Sequence, residues 1–295
     1  MPEWPSISEP ELLARLALPD EEFKAMVLEL ARSLPPRQFA PALLERALGY
    51  PWERPAGSYE WRDGGVRPLS ELDQPEREDL IERYASGPGA RLPLLAIGSN
   101  AAPAVLGRKF GHFPSGEERA VLALSGHLRD FDIGAAAQPT IYGSMPATPF
   151  ESPGTAVAAT VLWVTPAQFA QLTWSEVTYR LGRLHTRFEI ADAELGFDDV
   201  LAFASRFGTF CVEGSPAALA AVPARARRAR AFTQRQLLDH AAALALGLEA
   251  DAETLLRALC EDAPALLAKV AATVRPRGEP LRCERWVPFE PPARP

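Results

Sequence analysis

The spacing of apolar residues changes twice along this chain, and those changes limit what it can fold into. Up to about residue 86 they recur at helical intervals; beyond Gly87-Pro88-Gly89 they gather into short β-branched and apolar runs; from Thr233 the helical interval returns. Helices, then strands, then helices predict an α+β protein. In the first block, Phe23, Met26, Val27, Leu30, Ala31 and Leu34 form one face of a helix opened near Asp20 and closed by Pro35-Pro36. Ser8-Glu9-Pro10-Glu11 has capping-box spacing, Pro41 to Leu48 reads as a short helix ended by Gly49, and Pro75 to Ser86 reads as a last one. The Pro- and aromatic-rich stretch from Tyr50 to Trp61 reads as irregular packing on a domain surface. These features divide the chain into an N-terminal helical extension over 1–90, a strand-rich domain over 91–250, and C-terminal helices with a Pro-rich tail over 251–295.

With 295 residues, 47% of them apolar, the chain can build a sizeable core as one large or two ordinary domains. A net charge of −7 leaves no overall basic field for nucleic acid or anionic lipid, and the local run Arg225 to Arg230 reads as a solvated connector before a helix. Met1-Pro2-Glu3-Trp4-Pro5 lacks the pattern of a secretory leader, and no apolar run has membrane-spanning length. Cys211, Cys260 and Cys283 are too few and too dispersed for a zinc site or a disulfide framework, so a reducing cytoplasm is expected. His112, His127, His185 and His240 show no metal-ligand spacing, and neither a metal nor a cofactor is expected. His127 and His185 read as structural residues, and Asp130 and Asp132 as turn or surface residues.

Strands are expected over Val121–Leu124, Thr155–Val164, Tyr179–Ile190, Val200–Ala204 and Thr209–Val212. Thr165-Pro166-Ala167-Gln168 combines an N-cap Thr, Pro at the first helical position and Gln three after the cap, which predicts a short helix through Leu172. Thr233 to Gln236 is another capping box. It opens a helix with Leu237, Leu238, Ala241, Leu244, Ala245 and Leu248 on its apolar side, followed by helices near 252–262 and 265–274 and an extended or disordered tail from Arg275.

The most suggestive local pattern is Leu94-Leu95-Ala96-Ile97-Gly98-Ser99-Asn100. An apolar strand stops at a small polar turn, Gly98 can adopt a positive φ, and Pro103 sits in the first turn of a following helix. Turn amides in such a place can hold an anionic or carbonyl group. Ser99 lacks the Gly-x-Ser-x-Gly surroundings of a strained nucleophile, and no partner His or Asp can be assigned to it.

Taken in order, four motifs resemble the γ-glutamylcyclotransferase-like family across residues 91–250. They are Ile97-Gly98-Ser99-Asn100 with Arg108 on the next helix; Ala120 to Phe131, containing Gly126-His127-Leu128-Arg129-Asp130-Phe131; Ser152 to Val157; and Phe169 to Arg180, containing Glu176. The resemblance implies a mixed β-sheet or barrel-like domain with flanking helices. It also implies cleavage of a γ-glutamyl amide, peptide or amine by intramolecular aminolysis, releasing 5-oxoproline. Glu176 would be the catalytic acid/base, with Ile97, Gly98, Ser99, Asn100 and Arg108 binding the substrate. Two departures stand out: Ile97 occupies the place of an aromatic residue and Thr173 that of an aspartate. The first keeps open the alternative of an inactive relative that binds a ligand or a protein. The N-terminal helices are the surface expected to serve a homodimer or another partner.

Overall fold

The computed structural model describes residues 9–16, 18–33, 35–86, 91–176, 178–191 and 196–290. Ser8 of the first capping-box pattern, Leu34, the Gly87-Pro88-Gly89 boundary and the last five residues of the tail lie outside the described residues. The chain runs through α1 (Pro10–Leu16), α2 (Asp20–Arg32), α3 (Pro41–Leu48), a hairpin of β1 (Tyr59–Arg62) and β2 (Gly65–Pro68), and α4 (Gln74–Ser86). Then come β3 (Leu92–Ala96), α5 (Pro103–Phe110), β4 (Val121–Ala135), β5 (Ala147–Val164), α6 (Pro166–Ser175), β6 (Tyr179–Ile190), β7 (Gly196–Ser205) and β8 (Thr209–Val212). Helices α7 (Gln234–Leu246), α8 (Ala252–Glu261) and α9 (Ala263–Thr273) follow.

Strand β3 runs parallel to β7 and antiparallel to β5, with Leu94 opposite both Leu201 and Leu162. Antiparallel pairings of β5 with β4, β4 with β6 and β6 with β7 complete the ring, so the order β5-β3-β7-β6-β4 returns to β5. The protein is a mixed α+β fold on a closed five-stranded barrel with flanking helices. Successive residues of β3 alternate between two apolar clusters: Leu95 packs in one with Leu124 and Val161, and Leu94 and Ala96 in the other with Phe110 and Phe169.

Strands β4 and β5 extend well beyond the apolar runs that announced them, because ladder hydrogen bonds continue where the sequence turns polar. The bend in β4 falls at Asp130, which takes φ 60° and accepts a hydrogen bond from Gly154 N at 2.8 Å, a turn role as expected. Asp132 is different: it is fully buried and held by both Nε and a terminal nitrogen of Arg227 at 2.8 Å. One arginine of the supposedly solvated basic run is therefore half-buried and neutralises an interior carboxylate.

The first ninety residues are not wholly helical. β1 pairs with β4, so the Tyr50–Trp61 segment, expected as irregular surface, ends as a sheet strand with Tyr59 and Trp61 buried. Alternating Tyr, Glu, Trp and Arg suits a strand, but four residues are too few to override the Pro-rich surroundings in a sequence reading. Helix α2 packs on α9 and is fastened by Asp20, whose carboxylate meets the nearly buried Arg206 at 2.8 Å and Arg180 at 2.7 Å.

Both capping boxes, at Thr165 and Thr233, form as expected. Leu248 does not join the apolar side of α7: Gly247 ends the helix at φ 115° and leaves Leu248 91% exposed. The tail begins with a 3-10 turn over Arg275–Arg277 and then runs extended and partly paired. Gly278–Glu279 pairs with β8, and Trp286–Pro288 with β6, the Trp286 ring lying so close to Gly182 that a Cβ there would be 2.3 Å away. Among the described residues no helix is long and apolar enough to cross a membrane.

Candidate functional site

The end of β3 opens onto a cavity of about 640 Å³. The chain leaves the strand through Ile97 and Gly98, makes a single 3-10 turn over Ser99–Ala101, and enters α5 with Pro103 at the first helical position. Ile97 is buried in the core and also borders the cavity; Gly98, Ser99 and Asn100 form part of its wall.

Glu176, its N–H bonded to Leu172 O at 3.0 Å, arrives as the residue that ends α6, which follows β5 and packs beside α5. A carboxylate at a helix C-terminus faces the negative end of the peptide dipoles and needs compensation. Lys109 of α5 supplies it. Its Nζ lies 3.3 Å from Glu176 Oε1 and donates to Asn100 Oδ1 at 2.6 Å and to Ser175 Oγ at 2.7 Å. With Oδ1 taken by the ammonium, the Asn100 amide presents Nδ2 to Glu176 Oε1 at 2.9 Å. The side chains of Lys109 and Glu176 are 18% and 17% exposed, so the pair is neither buried beyond reach nor dissolved in solvent.

The geometry thus brings Asn100 and Glu176 together, and with them Lys109, which the sequence reading passed over for its neighbour. Arg108 is exposed at the rim of the same cavity, where its guanidinium lies 5.6 Å from the Trp52 ring and no bond to Glu176 forms. A signal for Lys109 was available: Val105, Leu106 and Phe110 are the buried positions of α5, and at about 100° per residue position 109 falls within their arc, while 108 lies outside it.

Two tyrosines complete the polar end. Tyr50, from the segment read as surface, accepts the Ala147 N–H at 2.9 Å with its hydroxyl oxygen, and the Ser99 backbone is a further partner. Tyr179 donates to Ala147 O at 2.9 Å. Burial, above all, pushes both phenols up from the usual tyrosine range, and the nearby Glu176 carboxylate adds to the shift, so both remain protonated. Tyr50 also corrects the reading of Gly98. That residue has φ −114°, not a positive φ; glycine is required because a Cβ would stand 2.3 Å from the Tyr50 hydroxyl oxygen.

The histidines expected to be structural lie elsewhere, His185 in a contact with Asp199 on the barrel exterior. Among the described residues no group of three or more His, Cys, Asp or Glu side chains could hold a metal ion. No family model matches the chain, and no curated protein is similar enough in sequence to stand as a relative.

Proposed function

We propose that the protein cleaves a γ-glutamyl amide, peptide or amine by intramolecular aminolysis, releasing 5-oxoproline, with Glu176 as acid/base. The observation that carries this reading is the hydrogen bond from Asn100 to Glu176 on the wall of an open cavity, which sets a carboxylate beside the Gly98-Ser99-Asn100 turn. The substrate's α-ammonium gives a proton to Glu176, and the freed amine attacks the γ-carbonyl carbon. A new C–N bond forms, giving a tetrahedral oxyanion whose ring nitrogen carries one surplus proton. The oxyanion collapses and the bond to the departing nitrogen breaks as Glu176 returns the first proton to it; the surplus proton then passes through Glu176 to the released amine, which leaves as an ammonium. No cofactor is consumed.

Tyr50 suits the developing oxyanion. Its oxygen is occupied by backbone N–H donors, and among the described residues its O–H donates no hydrogen bond, so the proton is available to a ligand. A phenol from the N-terminal region would thus stand in for the aromatic residue that Ile97 replaces. Most of the rate enhancement would come from holding a flexible chain in an attacking geometry, worth up to roughly 7–11 kcal/mol. The cysteines, all three free, support the choice of a cytoplasmic setting.

The ion pair between Lys109 and Glu176 favours a second reading, in which the carboxylate is structural and the cavity binds a ligand without turning it over. Incubation with γ-glutamyl dipeptides and γ-glutamylamines separates the two. Under the first reading 5-oxoproline accumulates and Glu176→Gln lowers its rate by at least about 10²-fold, the usual contribution of a general acid/base. Absence of product from every compound, or an undiminished rate in the variant, defeats it.

A further inference from the structure

The cavity lining is mixed, with Ser33, Gln138, Thr140 and Ser144 bordering it as well as Asn100 and Glu176. Its apolar wall includes Val27, Leu30 and Ala31 from α2, Ile141 and Tyr142 from the β4–β5 connection, and Leu267 from α9. Leu30, Ile141 and Tyr142 are three of the six large apolar side chains left exposed among the described residues, and all three border this cavity. Exposed apolar surface concentrated in one place marks a binding surface more often than chance scatter does. Helix α2 keeps an apolar position that its packing does not bury: Phe23 and Ala31 are buried and Val27 packs half-buried against the core, whereas Leu30 stays exposed on the cavity.

This wall is also fastened down. Asp20 ties the start of α2 to Arg206, Arg37 donates to the carbonyl of Ile141, and the Arg46 guanidinium stacks 4.6 Å from the Tyr142 ring. A cavity of about 640 Å³ lies in the range that encloses drug-sized ligands and exceeds the needs of a glutamyl head alone.

We infer that the cavity takes an amphipathic ligand, its amide- and carboxylate-bearing head at Asn100 and Glu176 and an unbranched alkyl or aryl group along α2. Resting on the γ-glutamyl reading, this makes the departing half a hydrophobic amine and not a small or charged amino acid. The specificity element is then α2, an element outside the barrel.

The test uses γ-glutamyl n-alkylamides from ethyl to octyl, with 5-oxoproline release measured on the free compounds. Binding is measured by calorimetry on Nα-acetylated counterparts, whose blocked amine cannot attack. Affinity should rise about fourfold per methylene until the apolar end is filled. Leu30→Glu, a change at an exposed position, should flatten that slope. A flat series, or a slope unchanged in Leu30→Glu, overturns the inference even if short amides release 5-oxoproline, in which case cyclisation stands without it. A steep slope with no 5-oxoproline from any free amide supports the amphipathic cavity and removes the cyclisation reading. Failure of every acetylated amide to bind overturns the inference whatever the turnover.

Discussion

At Gly98 the site depends on a side chain that is absent. The negative φ there carries no left-handed strain, yet the Tyr50 hydroxyl fills the space a methyl group would need. Gly98→Ala should therefore destabilise the protein by about 1–3 kcal/mol, the ordinary cost of overpacking, when measured by urea unfolding. In a Tyr50→Phe background the hydroxyl is gone and the same substitution should cost markedly less; equal costs in both backgrounds would show that Tyr50 is not the obstacle. The same close contact explains why the turn was legible and its tyrosine was not. Gly-Ser-Asn after an apolar run is a local pattern, while Tyr50 lies 97 residues from the Ala147 amide it binds. Arg108 and Lys109 present a similar limit. Adjacent positions on a helix point about 100° apart: the apolar face of α5 turns Lys109 inward of Arg108, but that it meets Glu176 is decided by where the end of α6 is placed.

Among the elements, α2 carries the clearest division between what was readable and what was not. Its apolar face and its start at Asp20 follow from 3.6-residue spacing, but that Asp20 would anchor the helix to Arg206 required the barrel to be in place. Arg206 is nearly buried and also lies over the Phe23 ring at 4.4 Å, whereas Asp20 is 30% exposed. Removing the carboxylate leaves the guanidinium without its counter-charge. Asp20→Ala should cost about 2–3 kcal/mol, below the usual range for a broken buried pair because Asp20 is partly solvated. Limited proteolysis should then cut within residues 18–33 ahead of the barrel; a cleavage pattern identical to the unmodified protein would mean that α2 is held mainly by its contacts with α9. Helix α6 shows the complementary case. Its capping box at Thr165 is closed by Gln168 three residues on, so its start was legible from four residues.

For the whole molecule, packing of the N-terminal segment and α4 on the barrel gathers phenols into the interior. Tyr50, Tyr59, Tyr84 and Tyr179, four of the five tyrosines, have hydroxyls pushed up from the ordinary value near 10, burial being the largest cause in each. Once unfolded tyrosines begin to ionise, the folded state holds more protons than the unfolded one, so stability must fall as pH rises. The urea midpoint should be insensitive to these groups below about pH 9 and decline from about pH 10 upward, with a shallower decline in Tyr50→Phe. A midpoint that holds steady well above about pH 10 would contradict the burial of these phenols. By itself the sequence determined what is settled within a few residues: the capped helices α6 and α7, the apolar strand running into Gly98-Ser99-Asn100, and the α+β alternation of helical and strand blocks. Tertiary structure alone decided that five strands close into a barrel, that β1 joins the sheet, and that Tyr50 and Lys109 reach the site where Asn100 meets Glu176. A capping box is selected by hydrogen bonds three residues apart, but partners 76 or 97 positions distant are selected by which surfaces pack, and no local spacing encodes that choice.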